Sequence, residues 1–132
     1  MIAIDTSALI AIIAGEPEAA PFAKVVAEND CLIGAPTRLE AAMVAQHRVT
    51  ADQYRDLLRI LSWRNVAIVD FSANHAEIAE RAFRAFGKGG GHPAGLNFGD
   101  CMAYAVAALA SAPLLFKGDD FLHTDLTPAW RP

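Results

Sequence analysis

The stretch LNFGDCMAYAVAALA, residues 96 to 110, constrains this chain more than any other. From Cys101 to Ala110 every side chain is apolar apart from the Tyr104 hydroxyl. A helix that is apolar all round must be covered all round, so the chain has to place it between other layers. The run is too short to cross a bilayer, which takes roughly 20 residues. Yet a carboxylate, Asp100, sits in its first turn, three residues after the cap candidate Asn97. An acid there stabilises a helix by about 0.5–1 kcal/mol with no further role.

The rest of the chain alternates short apolar runs with helical patterns. IAID (2–5) reads as a buried strand running into a turn, with Ser7 as the cap of a helix over ALIAIIA that Gly15 and Pro17 close. EAAPFAKVVAEN (18–29) is expected to be helix and CLIGA (31–35) a second strand. TRLEAAMVAQHRV (37–49) carries Thr37 and Glu40 at capping-box spacing. TADQYRDLLRILSW (50–63) is amphipathic, with Tyr54, Leu57, Leu58 and Leu61 on one face. NVAIVDF (65–71) is a third strand, and SANHAEIAERAFRAFG (72–87) a helix with Ala79, Ala82, Phe83 and Phe86 as its apolar stripe. KGGGHPAG (88–95) is expected to be a flexible loop, APLLF (112–116) a fourth strand and DLT (125–127) an edge strand. The alternation predicts one domain over residues 1–132, a three-layer α/β/α fold around a mostly parallel sheet.

Composition narrows the function. Cys31 and Cys101 are far apart and flanked by apolar residues, so they read as buried free thiols. The four histidines have no partner spacing for a zinc site. The N-terminal apolar segment lacks a basic start, the first cation being Lys24, so a cytoplasmic protein without membrane attachment is expected. The net charge of −4 argues against a nucleic-acid partner until its distribution is considered.

Ligand sites in parallel sheets lie beyond the carboxyl ends of the strands. That rule selects Asp5 after the first strand and Asp119 or Asp120 after the fourth. Glu40 and Asp100 each lie near the start of an apolar helix, and helices start where strands end, so four carboxylates face one crevice. Like charges so close are unstable alone, and hard divalent cations such as Mg²⁺ or Mn²⁺ would compensate them. Such cations activate water and neutralise a phosphodiester. Without Asp5, Glu40, Asp100 and Asp119 the chain holds 11 acids against 11 bases, so a metal-filled site would no longer repel a phosphate backbone.

The segments IDTSAL, TRLEAAMV, GKGGGHPAGLNFGDCMAYA and PLLFKGDDF, in that order, resemble a PIN-domain ribonuclease, specifically a VapC-type toxin of a bacterial toxin–antitoxin pair. The resemblance spans nearly the whole chain. It implies a sheet flanked by helices and Mg²⁺-dependent cleavage of RNA, with catalytic acids at Asp5, Glu40, Asp100 and Asp119 and metal ligands at Asp5 and Asp100. It also implies a cognate antitoxin that blocks the site, and a homodimer. Thr6 is a candidate ligand or phosphate contact, and Lys88 and His92 in the glycine-rich loop are candidate RNA contacts. Arg81, Arg84 and Lys88 read as a solvated helix face before they read as an RNA grip. Two other readings compete. One is a phosphatase with Asp5 as nucleophile, though Ser7 stands where such enzymes place a second Asp. The other is a non-catalytic module that binds RNA or protein.

Overall fold

The computed structural model describes residues 1–132. Four strands, β1 (Ile2–Ile4), β2 (Cys31–Gly34), β3 (Val66–Val69) and β4 (Leu114–Leu115), form one sheet in the order β3-β2-β1-β4. Every pairing is parallel. β1 is therefore internal, and its carboxyl end opens onto the middle of the sheet edge.

Strand alternation sorts the core into two layers. Ile2, Ile4, Cys31, Ile33 and Leu115 point to the face covered by α1 (Thr6–Ile13), α2 (Ala19–Glu28), α3 (Ala35–Arg48) and α4 (Ala51–Leu61). Ala3, Leu32 and Leu114 point to the face covered by α5 (Ala73–Phe86) and α6 (Phe98–Leu109). The three-layer α/β/α expectation holds. α6 is the all-apolar helix, with Cys101, Ala103, Ala105, Val106 and Ala107 buried. No helix is long and apolar enough to cross a membrane. Both cysteines are buried and free.

Several local expectations need correction. Ser7 does not cap α1; Asp5 does, accepting from the Ser7 amide at 2.9 Å. The Thr37–Glu40 capping box does not form, because the extended Gly34 at the end of β2 caps α3 and Pro36 fits its first turn. Thr37 is instead buried inside the helix. Of the expected apolar stripes Leu57 and Ala82 are buried, but Leu58 and Phe83 are exposed, and Ile60, outside the expected stripe, is in the core. The loop after α5 is pinned: Lys88 N donates to Leu96 O and Leu96 N to Phe86 O, both at 2.9 Å, and Ala94 and Leu96 are buried. Near the C-terminus a 3₁₀ turn over Asp120–His123 precedes a single bridge of Pro128 to Leu114, so the edge pairing falls just after DLT.

α6 lies so close to β2 that a Cβ on Gly34 would stand 2.8 Å from Val106 Cγ2. Gly34→Ala is accordingly expected to destabilise the protein by about 1–3 kcal/mol in urea titrations. A loss below about 0.5 kcal/mol would show that the two layers are not in close contact there.

Candidate active site

The carboxyl end of β1 opens into a pocket of about 390 Å³ lined by Asp5, Thr6, Ser7, Glu40, Arg48, Asp100 and Lys117, among others. Each acid arrives there for a local reason. Asp5 ends β1 and caps α1. Glu40 lies in the second turn of α3, which starts where β2 ends. Asp100 occupies the third position of α6, where it closes a capping box: Asp100 N donates to Asn97 Oδ1 at 2.9 Å and Asn97 N to Asp100 Oδ2 at 3.0 Å. Asp100 is thus a capping residue and a pocket residue at once.

The three acids share one pattern of anchoring. Asp5 Oδ2 accepts from the Ser7 amide and from the Ser7 hydroxyl at 2.5 Å. Glu40 Oε1 accepts from the Thr6 hydroxyl at 2.5 Å. Asp100 Oδ2 accepts from the Asn97 amide. One oxygen of each carboxylate is fixed by a protein donor, and the other accepts no hydrogen bond. Ser7 links two strands in doing so, because its hydroxyl also accepts from Lys117 N, just beyond β4, at 2.9 Å.

No lysine or arginine forms an ion pair with Asp5, Glu40 or Asp100, although Arg48 and Lys117 line the same pocket. Lys117 is drawn away into ion pairs with Glu16 and Glu18. Asp5 is only 4% exposed. Burial pushes its carboxyl up to about 6, the Ser7 bonds pull it down, and the charges of Asp100 and Glu40 add to the rise. Asp100 is raised too, by burial first, against the Asn97 bond and with help from the charges of Asp120 and Glu40. These are the conditions under which a divalent cation is favoured.

No three His, Cys, Asp or Glu side chains close into a ready-made metal cage. A hydrated Mg²⁺ takes only one or two carboxylates and keeps several waters, so the all-oxygen donor set fits that ion in an open site. A dehydrated, protein-enclosed ion would not fit.

The remaining expected residues are dispersed. Asp119 lies in a neighbouring hollow with Glu18, Phe22, Lys117 and Trp130, whereas it is Asp120 whose charge acts on Asp100. Thr6 lines the pocket with its hydroxyl bonded to Glu40. Lys88 and His92 do not line it; His92 Nδ1 accepts from Ala94 N at 3.1 Å, and its ring packs edge-on against Phe86. Arg84 pairs with Glu80 on the helix surface. Arg48, which sequence reasoning missed, stands exposed on the pocket with no ion-pair partner. Its only signal in the sequence is a spacing of two helical turns from Glu40.

The model of the PIN domain family matches residues 2–126. Ribonuclease VapC30 of Mycobacterium tuberculosis is 42% identical over 130 residues, covering 98% of each chain. Among solved structures, VapC20 of Mycobacterium tuberculosis, a toxin that cleaves the sarcin–ricin loop, superposes with a TM-score of 0.77 at 17% identity over the full length of both chains. A toxin–antitoxin complex from Klebsiella pneumoniae superposes at 0.74 and 20% identity, again over all of both chains.

Folding raises the Asp5 carboxyl from its ordinary 3.8 to about 6, so the folded state holds that proton more tightly than the unfolded chain does. The contribution of this group to stability is greatest below pH 3.8, falls as the pH rises to about 6 and is level above that. Asp5→Asn retains a capping side chain and removes the charge. In chelator at pH 8 it is expected to be about 1–3 kcal/mol more stable than wild type, the difference shrinking on acidification. A variant less stable than wild type at pH 8 would contradict the buried-charge reading.

Proposed function

The chain belongs to the PIN-domain family and, within it, to the VapC ribonucleases; on that premise we propose that it is a divalent-metal-dependent endoribonuclease, acting in the cytoplasm as the toxin of a toxin–antitoxin pair. The observation that carries the proposal is the convergence of Asp5, Glu40 and Asp100 on one open pocket, none of them in an ion pair with a lysine or arginine.

In this reading Asp5 and Asp100 would hold Mg²⁺, or Mn²⁺, each already fixed through one oxygen by Ser7 or Asn97. When bound, such an ion lowers the pKa of water and neutralises charge on the phosphodiester. The protein's own groups do the rest. Ser7 and Asn97 fix the two ligands, and Thr6 aims Glu40, whose free oxygen accepts a proton from the attacking water. The fourth acid is assigned to Asp120 in place of Asp119, because its charge reaches Asp100. Arg48 takes a phosphate of the RNA strand, since it is the pocket cation not held by an acid. Lys88 is exposed on the glycine-rich loop and would meet the strand further along, while His92 supports that loop. A cognate antitoxin and a second copy of the chain are the proposed protein partners. The exposed apolar side chains of Leu39, Met43, Phe83 and Phe98 offer them surface.

Cleavage of single-stranded RNA by the purified protein should need Mg²⁺ or Mn²⁺ and stop in EDTA. Asp100→Asn is expected to lower the rate about 100-fold or more. Arg48→Ala should raise KM several-fold, by roughly 3–10-fold, and make binding less salt-dependent. Cleavage that persists in EDTA, or an Asp100→Asn rate near wild type, would remove the assignment.

A further inference from the structure

Gly99 sits between Phe98 and Asp100 in the first turn of α6, and its presence there has no backbone explanation. The glycines with left-handed φ are Gly15, Gly89, Gly91, Gly95 and Gly118, and Gly99 is not among them. A helical position of ordinary conformation favours alanine over glycine. What occupies the space of the missing side chain is Glu40. A Cβ built on Gly99 would lie 2.2 Å from Glu40 Oε2, 3.0 Å from Cδ and 3.1 Å from Oε1. Outside the helix's own backbone and the two adjoining residues, all three nearest atoms belong to Glu40.

We infer that Gly99 is a positioning residue: the absence of its side chain admits the Glu40 carboxylate against the first turn of α6, beside Asp100. The inference rests on the ribonuclease reading for its catalytic consequence, but not for its geometry. Glu40 is held there from two sides. The Thr6 hydroxyl bonds Oε1, and Oε2 occupies the space left by Gly99. The first amides of a helix also favour negative charge, so the carboxylate is held where α6 helps to tolerate it. Adding a methyl group at 99 leaves the fold intact, because the group displaced is the end of a flexible side chain. It displaces the carboxylate, and the Thr6 bond is lost with it. Removing one methylene from residue 40 draws the carboxylate back and makes room for that methyl.

Gly99→Ala therefore separates stability from function. Its thermal midpoint is expected to equal or exceed that of wild type. A crystal structure of the metal-free variant should show the Glu40 carboxylate beyond hydrogen-bonding reach of Thr6 Oγ1. In RNA cleavage kcat should fall about tenfold or more with KM changed less than about threefold. Adding Glu40→Asp should recover about threefold or more of the lost kcat. Glu40 unmoved in the variant structure, or a midpoint well below wild type, would overturn the inference. So would cleavage within about twofold of wild type. If the wild-type chain cleaves no RNA, the ribonuclease reading fails, and the position of Glu40 in the variant still decides the role of Gly99.

Discussion

The arrangement depends on one buried charge. Asp5 follows β1, one of the two internal strands of a parallel sheet, where the fold gives it almost no water and no ion-pair partner. A carboxylate in that position costs free energy unless donors or a counter-ion compensate it. Two bonds from Ser7 compensate only one of its oxygens. The rest of the local structure follows from that half-satisfied state. Thr6 and Asn97 treat Glu40 and Asp100 the same way, fixing one oxygen and leaving the other. The outcome is three carboxylates, each held through one oxygen by a protein donor and none in an ion pair, the arrangement on which the proposed divalent-cation site rests.

The sheet topology explains why these residues meet. β1 lies between β2 and β4, so Asp5 borders both the start of α3 and the segment after β4. Lys117 N, from that segment, closes onto the Ser7 hydroxyl, while its side chain is held by Glu16 and Glu18. α6 approaches across the opposite face, and its close packing on Gly34 brings Asp100 and Gly99 toward Glu40. Two glycines thus act at different depths: one lets the layers touch, and the other makes room for a carboxylate.

Much of this was legible in the sequence where the cause is local. The four apolar runs, the Asn97–Asp100 box and the acid after the first strand follow from short-range patterns, and α6 had to be buried because nothing on it is polar. Tertiary context overruled the local reading elsewhere. Thr37 has the spacing of a cap, yet the end of β2 starts α3 earlier. Ser7 resembles a cap and instead orients Asp5 while tying it to Lys117. Asp119 and Asp120 are adjacent at the start of a 3₁₀ turn, and nothing in the local sequence distinguishes them. Arg48 looks like any exposed helical arginine, and the meaning of Gly99 is visible only from the atom that stands in place of its side chain.

If the pocket carboxylates bind a divalent cation, binding to the folded state alone stabilises it by mass action. The most direct measurement is the thermal midpoint of the wild-type chain against Mg²⁺ concentration at constant ionic strength and pH 8. A divalent-cation site gives a midpoint that keeps rising with the logarithm of Mg²⁺ once the site fills, and a slope that Asp100→Asn abolishes. A midpoint indifferent to Mg²⁺, or one that rises equally in Asp100→Asn, would contradict it.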